Sequence, residues 1–163
     1  MKNTGSVINA MIRYYSGDIK RINHFIKVYG YSKAIGEMEN LDDKTMEILE
    51  VTAVVHDIGI KISEEKYHSS AGQYQQIEGP PIAADMLTGL GYDQDFIDRV
   101  CYLIAHHHTY NNIDGLDYQI LVEADFLVNL DEDNTSTEGI KKVKENIFKT
   151  NTGISFLYDC FGV

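Results

Sequence analysis

The chain has 163 residues, 44% of them hydrophobic and 24% charged, with a formal net charge of −11. That length and balance suit one globular domain, expected here to span 1–163, and exclude a disordered chain. The acidic excess opposes nucleic-acid polymers and anionic membranes, which are bound through basic surface, but not a phosphorylated small molecule, because a bound divalent cation reverses the local field.

Only Pro80 and Pro81 resist helix, and they are adjacent. A first short helix is expected over Val7 to Tyr15, stopping at Ser16-Gly17. Asp18 then caps a long helix reaching about Asn40. It carries two apolar stripes, Ile19/Ile22/Ile26/Tyr29 and Val28/Tyr31/Ile35/Met38, so it should be central to a bundle, with His24 on the second stripe pointing inward. Asp42 or Asp43 caps the next helix, through Met46, Leu49 and Val51 into Ala53-Val54-Val55, with His56-Asp57 at its far end and Gly59 ending it. Lys61 to Gly79 lacks clear periodicity and is the longest loop candidate. Pro80-Pro81 suit the first turn of a helix through Ala83, Ala84 and Leu87, ended by Gly89 or Gly91. Asp93 caps another, through Phe96, Val100, Leu103 and Ile104 into His106-His107-His108. A polar turn over 111–115 precedes a helix through Leu121 and Val122 to Leu130, and the tail from Thr137 offers two more, broken near Thr150 to Gly153. No strand-like alternation competes. The expected fold is an all-α, single-domain bundle of about six to eight helices.

The chemistry lies in polar residues set within apolar stretches. His56-Asp57 follows an apolar run, and burying an imidazole and a carboxylate costs several kcal/mol unless they are paired or hold a cation. The alternative is a histidine favoured by the helix dipole beside a solvated aspartate. His24 faces the core, where a hydrogen-bonded histidine is the alternative to a ligand. Asp125, inside LVEADFLV, needs a partner too, and Arg21 or Arg99 could supply one instead of a metal. Together these two imidazoles and two carboxylates form a mixed N/O set that suits Mn, Fe, Co, Ni or Zn better than Ca.

A histidine on one helix, His-Asp closing the next and an aspartate on a later one resemble the HD superfamily of metal-dependent phosphohydrolases. The stretches that carry the likeness are Arg21-Ile22-Asn23-His24, VVHDIGIK (54–61) and LVEADFLVNL (121–130), within about 18–130; 131–163 add the C-terminal helices. The resemblance implies an all-α bundle in which His24, His56, Asp57 and Asp125 hold one divalent ion. Members with a second ion add histidines between the His-Asp pair and the last aspartate. Glu78 stands where one of these often lies, as an oxygen ligand or a hydrogen-bond acceptor at a helix start. The run His106-His107-His108 stands at the other; His107 is favoured, but a one-residue shift turns a side chain by about 100°, and a polar helix end is the alternative. His68 reads as loop surface. Some related nucleotidases carry a glutamate four residues after the motif histidine; Ile60 stands there and Lys61 follows, as a phosphate contact or a solvated residue. Glu64 and Glu65 are near only in sequence, and no general base is assigned.

The activity implied is hydrolysis of a small molecule's phosphomonoester or phosphoanhydride, a nucleotide's by expectation, by a metal-activated water. Asp57, with two oxygens, would bridge when two ions bind. The alternatives are di-iron oxygenase chemistry within the same superfamily, or a non-catalytic nucleotide-binding or signalling domain. The expected loop 61–79, with Tyr67, Tyr74 and its glutamines, would shape substrate recognition. Cys101 and Cys160 lack CxxC spacing and read as reduced thiols, with a Cys101–Cys160 disulfide as the lesser alternative. The first residues hold no unbroken apolar run, and no stretch reaches the ~18 residues of a membrane span, so the cytoplasm is the expected location. Oligomeric state is not legible, since the eleven tyrosines serve cores and interfaces alike.

Overall fold

A computed structural model describes residues 2–163, and among them there are nine α-helices and no strand. In chain order they are α1 (Thr4–Tyr14), α2 (Ile19–Met38), α3 (Asp43–Val55), α4 (Ile60–Tyr67), α5 (Gly72–Gly89), α6 (Gln94–His106), α7 (Leu116–Glu132), α8 (Thr137–Asn146) and α9 (Asn151–Phe161). Among the described residues no helix is long and apolar enough to cross a membrane. Short polar side chains start most of the helices by accepting one of the backbone N–H groups that a first turn leaves free. Asp18 accepts from Arg21 N at 3.2 Å, Asp42 from Thr45 N at 2.9 Å and Asp93 from Phe96 N at 2.9 Å. Of the two candidates before α3, Asp42 is the cap, and Asp43 lies in the first turn. α1 begins three residues earlier than its periodicity suggests because Asn3 caps it.

Helices α2, α3 and α7 make the centre: α2 packs on α3 and α7, and α3 also packs on α1, α6 and α7. α3 is buried without a break from Ile48 to Val55 except at Glu50, and α7 from Asp117 to Asp125. The buried positions of α2 are Phe25, Val28, Ser32, Ile35 and Gly36. Its expected first stripe is not core, since Ile19 is 64% and Ile26 38% exposed, and Met38 on the second stripe is 67% exposed. One face of α2 therefore meets α3 and α7 while the other meets solvent.

Between Gly59 and Gly89 the structure corrects the sequence expectation. Gly59 does not terminate anything: its backbone is right-handed helical (φ −75°, ψ −13°), and α4 starts directly after it. The segment expected as a loop over Lys61–Gly79 is α4, a connection over 68–71 and the first half of α5. This makes α4 an additional helix beside those that the sequence suggests. Pro80 and Pro81 accordingly lie inside α5 and not in its first turn. Each lacks the N–H that would reach the carbonyl four residues back, at Gln76 and Ile77.

The tail is tied down by a carboxylate that the sequence did not single out. Glu123, fully buried in α7, accepts from Gln119 Nε2 (2.6 Å), Lys149 N (3.0 Å), Thr150 N (3.1 Å) and Thr150 Oγ1 (2.6 Å). These donors lead into α9, so Glu123 anchors that helix to α7. Gly153 is required beside it, because an added Cβ would collide with Glu123 Oε1.

Candidate metal centre

Four elements bring the site together: the middle of α2, the turn joining α3 to α4, the C-terminal end of α6, and α7. His56 is the C-cap of α3 and fully buried. At a helix end the carbonyls of the last turn have no helical partner, and His56 Nδ1 donates to one of them, Ala53 O, at 2.7 Å. Its Nε2 then points inward, 3.3 Å from Asp125 Oδ1 and 3.4 Å from Asp57 Oδ2. His107 at the end of α6 repeats the device, donating from Nδ1 to Ile104 O at 2.7 Å. Its Nε2 lies 3.4 Å from Asp57 Oδ1, buried and without a hydrogen-bond partner. His24 Nδ1 meets Glu132 Oε1 at 2.5 Å, and its Nε2 lies 3.1 Å from Asp125 Oδ1 and 3.2 Å from Asp57 Oδ2. Tyr15 OH donates to Asp57 O at 2.8 Å and holds the motif backbone from behind.

Asp57 stands at the junction of two donor groups. His24, His56 and Asp57 form one; Asp57, His107 and His108 form the other, with ligand atoms within 4.8 Å of each other in each. Two observations fit a cation here. The Nε2 atoms of His24 and His56 approach to 3.3 Å, each on a ring whose Nδ1 already has a partner, and the buried Nε2 of His107 has none. Lone pairs so gathered repel each other unless protons or a positive ion lie between them.

Protons perform that task when no cation is bound. Burial alone would lower the His24 pKa, but hydrogen bonds and charge from Asp125 and Asp57 push it up to about 11. For His56 burial is likewise outweighed by the charges of Asp57 and Asp125, and its pKa rises to about 10. Burial opposes ionisation of Asp57 and Asp125, yet the neighbouring histidines hold both below the usual carboxylate range. His108 goes the other way, to about 4, through burial and then its His107 neighbour. Asp125 has no arginine partner, since Arg21 binds Glu64 and Asp18 while Arg99 binds Asp117 and Asp114.

The cluster opens into a cavity of about 730 Å³, whose lining includes Lys20, Arg21, Lys27, Ser70, Gln75 and Asn129. Of the histidine run, His107 and His108 face the site. His106 instead bonds Tyr102 O at 2.7 Å and stacks on the Tyr102 ring.

Two expected site residues are not brought to the cluster. Glu78 binds Lys66 Nζ through both oxygens at 3.2 Å and accepts from Tyr67 OH at 2.9 Å. The reason is the rotation of α5, which presents Gln75 to the cavity instead. Lys61 turns to the other side of the turn, bonding Tyr14 O at 3.3 Å and lying 5.0 Å over the Tyr14 ring. Tyr67 and Tyr74, expected near substrate, stack on each other at 4.1 Å and do not line the cavity. Sequence reasoning missed Glu132, which was findable: it follows Asp125 by seven residues, two turns along one helix face. Gln75 carried no signal, because its segment was not read as helix.

Comparison with known proteins agrees with the all-helical fold. The sequence model of the HD domain family matches residues 21–144. Among solved structures, a predicted HD superfamily hydrolase from an uncultured Thermotogales bacterium superposes with a TM-score of 0.69. It is 22% identical in sequence, and the match covers 96% of this chain and 83% of that one. No curated protein matches the sequence.

Proposed function

The chain belongs to the HD domain family, and from that premise we propose that it is a metal-dependent phosphohydrolase acting on a small phosphorylated molecule, a nucleotide by preference. The observation that carries this reading is the gathering of His24, His56, Asp57 and Asp125, in which the two histidines approach each other and both aspartates at 3.1–3.4 Å. These four would hold a divalent Mn, Fe, Co, Ni or Zn ion, and Asp57 would share its other oxygen with a second ion beside His107 and His108. When bound, such an ion lowers the pKa of a water ligand toward about 7 and withdraws charge from a phosphoryl oxygen.

The chain's own residues supply position and charge. The Nδ1 partners of His24 and His56 fix both rings with Nε2 inward. Lys20 and Lys27 lie four residues before and three after His24, along one stripe of α2, and both line the cavity. They give a strongly acidic protein a local cationic flank for phosphate oxygens. The cavity volume suits a small phosphorylated molecule. A neighbouring cavity of about 420 Å³, which shares Lys27 and is lined by Tyr31 and Phe161, would receive its organic portion. The setting we propose is one 1–163 domain in the cytoplasm.

The test is metal analysis of untagged protein followed by a phosphoester and phosphoanhydride panel with the reconstituted enzyme. Hydrolysis that disappears, together with the metal, in His56→Ala is the expected result. Metal-loaded protein that binds nucleotide but turns over nothing would replace catalysis by a binding role. Oxygen-dependent spectral change at bound iron would replace hydrolysis by oxidation.

A further inference from the structure

His108 differs from the other three inward-facing histidines in which ring nitrogen is occupied. His24, His56 and His107 each commit Nδ1, to Glu132, Ala53 O and Ile104 O, and keep Nε2 for the cluster. His108 instead commits Nε2, which lies 3.1 Å from Gln75 Oε1. Which partner donates is decided one bond further away. Gln75 Nε2 donates to Ser70 O at 2.5 Å, and the opposite amide orientation would set two acceptor oxygens against each other. Gln75 therefore offers His108 only an acceptor. His108 Nε2 must carry the proton, and Nδ1 holds the lone pair.

Packing agrees with the hydrogen bond. The backbone of α5 presses on the Cδ2 edge of the ring: a Cβ added at Gly72 would stand 2.8 Å from Cδ2 and 3.0 Å from Cγ. Gly72 thus lies against the Cβ–Cγ–Cδ2 side of the ring and not the Nδ1 side. Gln75 itself is 5% exposed, so its amide is held without competition from bulk water.

We propose that Gln75 is a positioning residue for the second ion: it fixes His108 as the Nε2–H tautomer, so that His108 binds through Nδ1 while the other three histidines bind through Nε2. This rests on the two-ion reading of the proposed function. It also gives an α5 glutamine, acting through a histidine, the place where Glu78 was expected as a direct ligand.

Two-bond proton–nitrogen spectra of the histidine rings at neutral pH test this in the wild-type protein. The metal-free spectrum should show His108 protonated at Nε2, and zinc should shift His108 at Nδ1 but His24, His56 and His107 at Nε2. The isosteric Gln75→Met should weaken the second zinc by about ten- to a hundredfold and leave the first unchanged. Gln75→Glu keeps the acceptor toward His108 but sets its second oxygen against Ser70 O, so it should recover only part of that loss. An Nδ1–H tautomer in the metal-free protein, zinc on His108 Nε2, or unchanged second-ion affinity in Gln75→Met would each overturn the proposal. Failure to take up any zinc would sink the metallohydrolase reading, while the metal-free tautomer would still decide the role of Gln75.

Discussion

Gly59→Ala and Gly30→Ala make the same chemical change at two right-handed helical positions, and they should shift stability in opposite directions. At Gly59 the new Cβ would stand 2.8 Å from Gln75 O and 2.8 Å from Gly79 N, both backbone atoms of α5. Ordinary contact begins near 3.4 Å, so α5 must retreat by at least about 0.6 Å, the difference between those distances. Overpacking of that kind costs about 1–3 kcal/mol, and the helix-interior gain in propensity from glycine to alanine does not offset it, because Gly59 is the N-cap of α4, where glycine is the better residue. The loss is about 1–3 kcal/mol, or a Tm lowered by about 2–12 °C for a chain of this size. At Gly30, inside α2 and exposed, nothing lies within 4 Å of the added Cβ. There the propensity gain acts alone and should stabilise by about 0.5–1 kcal/mol. Urea denaturation followed by circular dichroism, in chelator so that metal binding does not contribute, measures both. A Gly59→Ala protein as stable as wild type would refute the close helix approach, and with it the reason given for glycine at this position. Because α5 carries Gln75, the same variant should also weaken a second ion more than a first.

In Glu123→Gln the amide oxygen can stay on Lys149 N and Thr150 N only if the NH₂ faces Thr150 Oγ1, which now donates there, so either orientation loses an acceptor and should cost about 1–3 kcal/mol in urea denaturation; a cost below about 0.5 kcal/mol would show that α9 docks without it. Glu132→Ala frees His24 Nδ1 and should reduce first-ion affinity about ten- to a hundredfold with little change in metal-free stability. Metal uptake near neutral pH should release at least one proton from the pair His24 and His56, seen by calorimetry in buffers of different ionisation enthalpy. Uptake without proton release would contradict the raised pKa values. In the metal-free protein those raised values stabilise fully below about pH 6.5, the unfolded histidine pKa, and the effect is lost as pH climbs toward 10–11. The lowered His108 value acts oppositely, stabilising above about pH 6.5 and fading as pH falls to about 4. Metal-free Tm should therefore peak near pH 6–7 and decline on both sides. A Tm still rising between pH 7 and 9 without metal would be the wrong result.

What the sequence by itself determined is local. Asp18, Asp42 and Asp93 cap helices because a short side chain reaches an N–H three residues ahead, a distance set within one turn. His56 and Asp57 stood out because an apolar run carries them inward, and His24 and Asp125 because core-facing polar groups need partners. Tertiary packing decided the remainder. Gly59 looks like a terminator in sequence, yet its missing side chain serves the passage of α5 against the turn after His-Asp. Periodicity within 61–79 was obscured because α4 and α5 meet solvent over much of their length, and the adjacent prolines suggested a start where the helix was already under way. The rotation of α5, set by Gly59 and Gly79 meeting face to face, turned Gln75 to the cavity and Glu78 to Lys66. Three residues apart, the two lie about 60° from each other around the axis, on neighbouring lines of one helix face, and no local rule chooses which of them reaches the cavity. The ligand types were thus written in the chain, while the atoms that face the metal were chosen by how one helix lies on another.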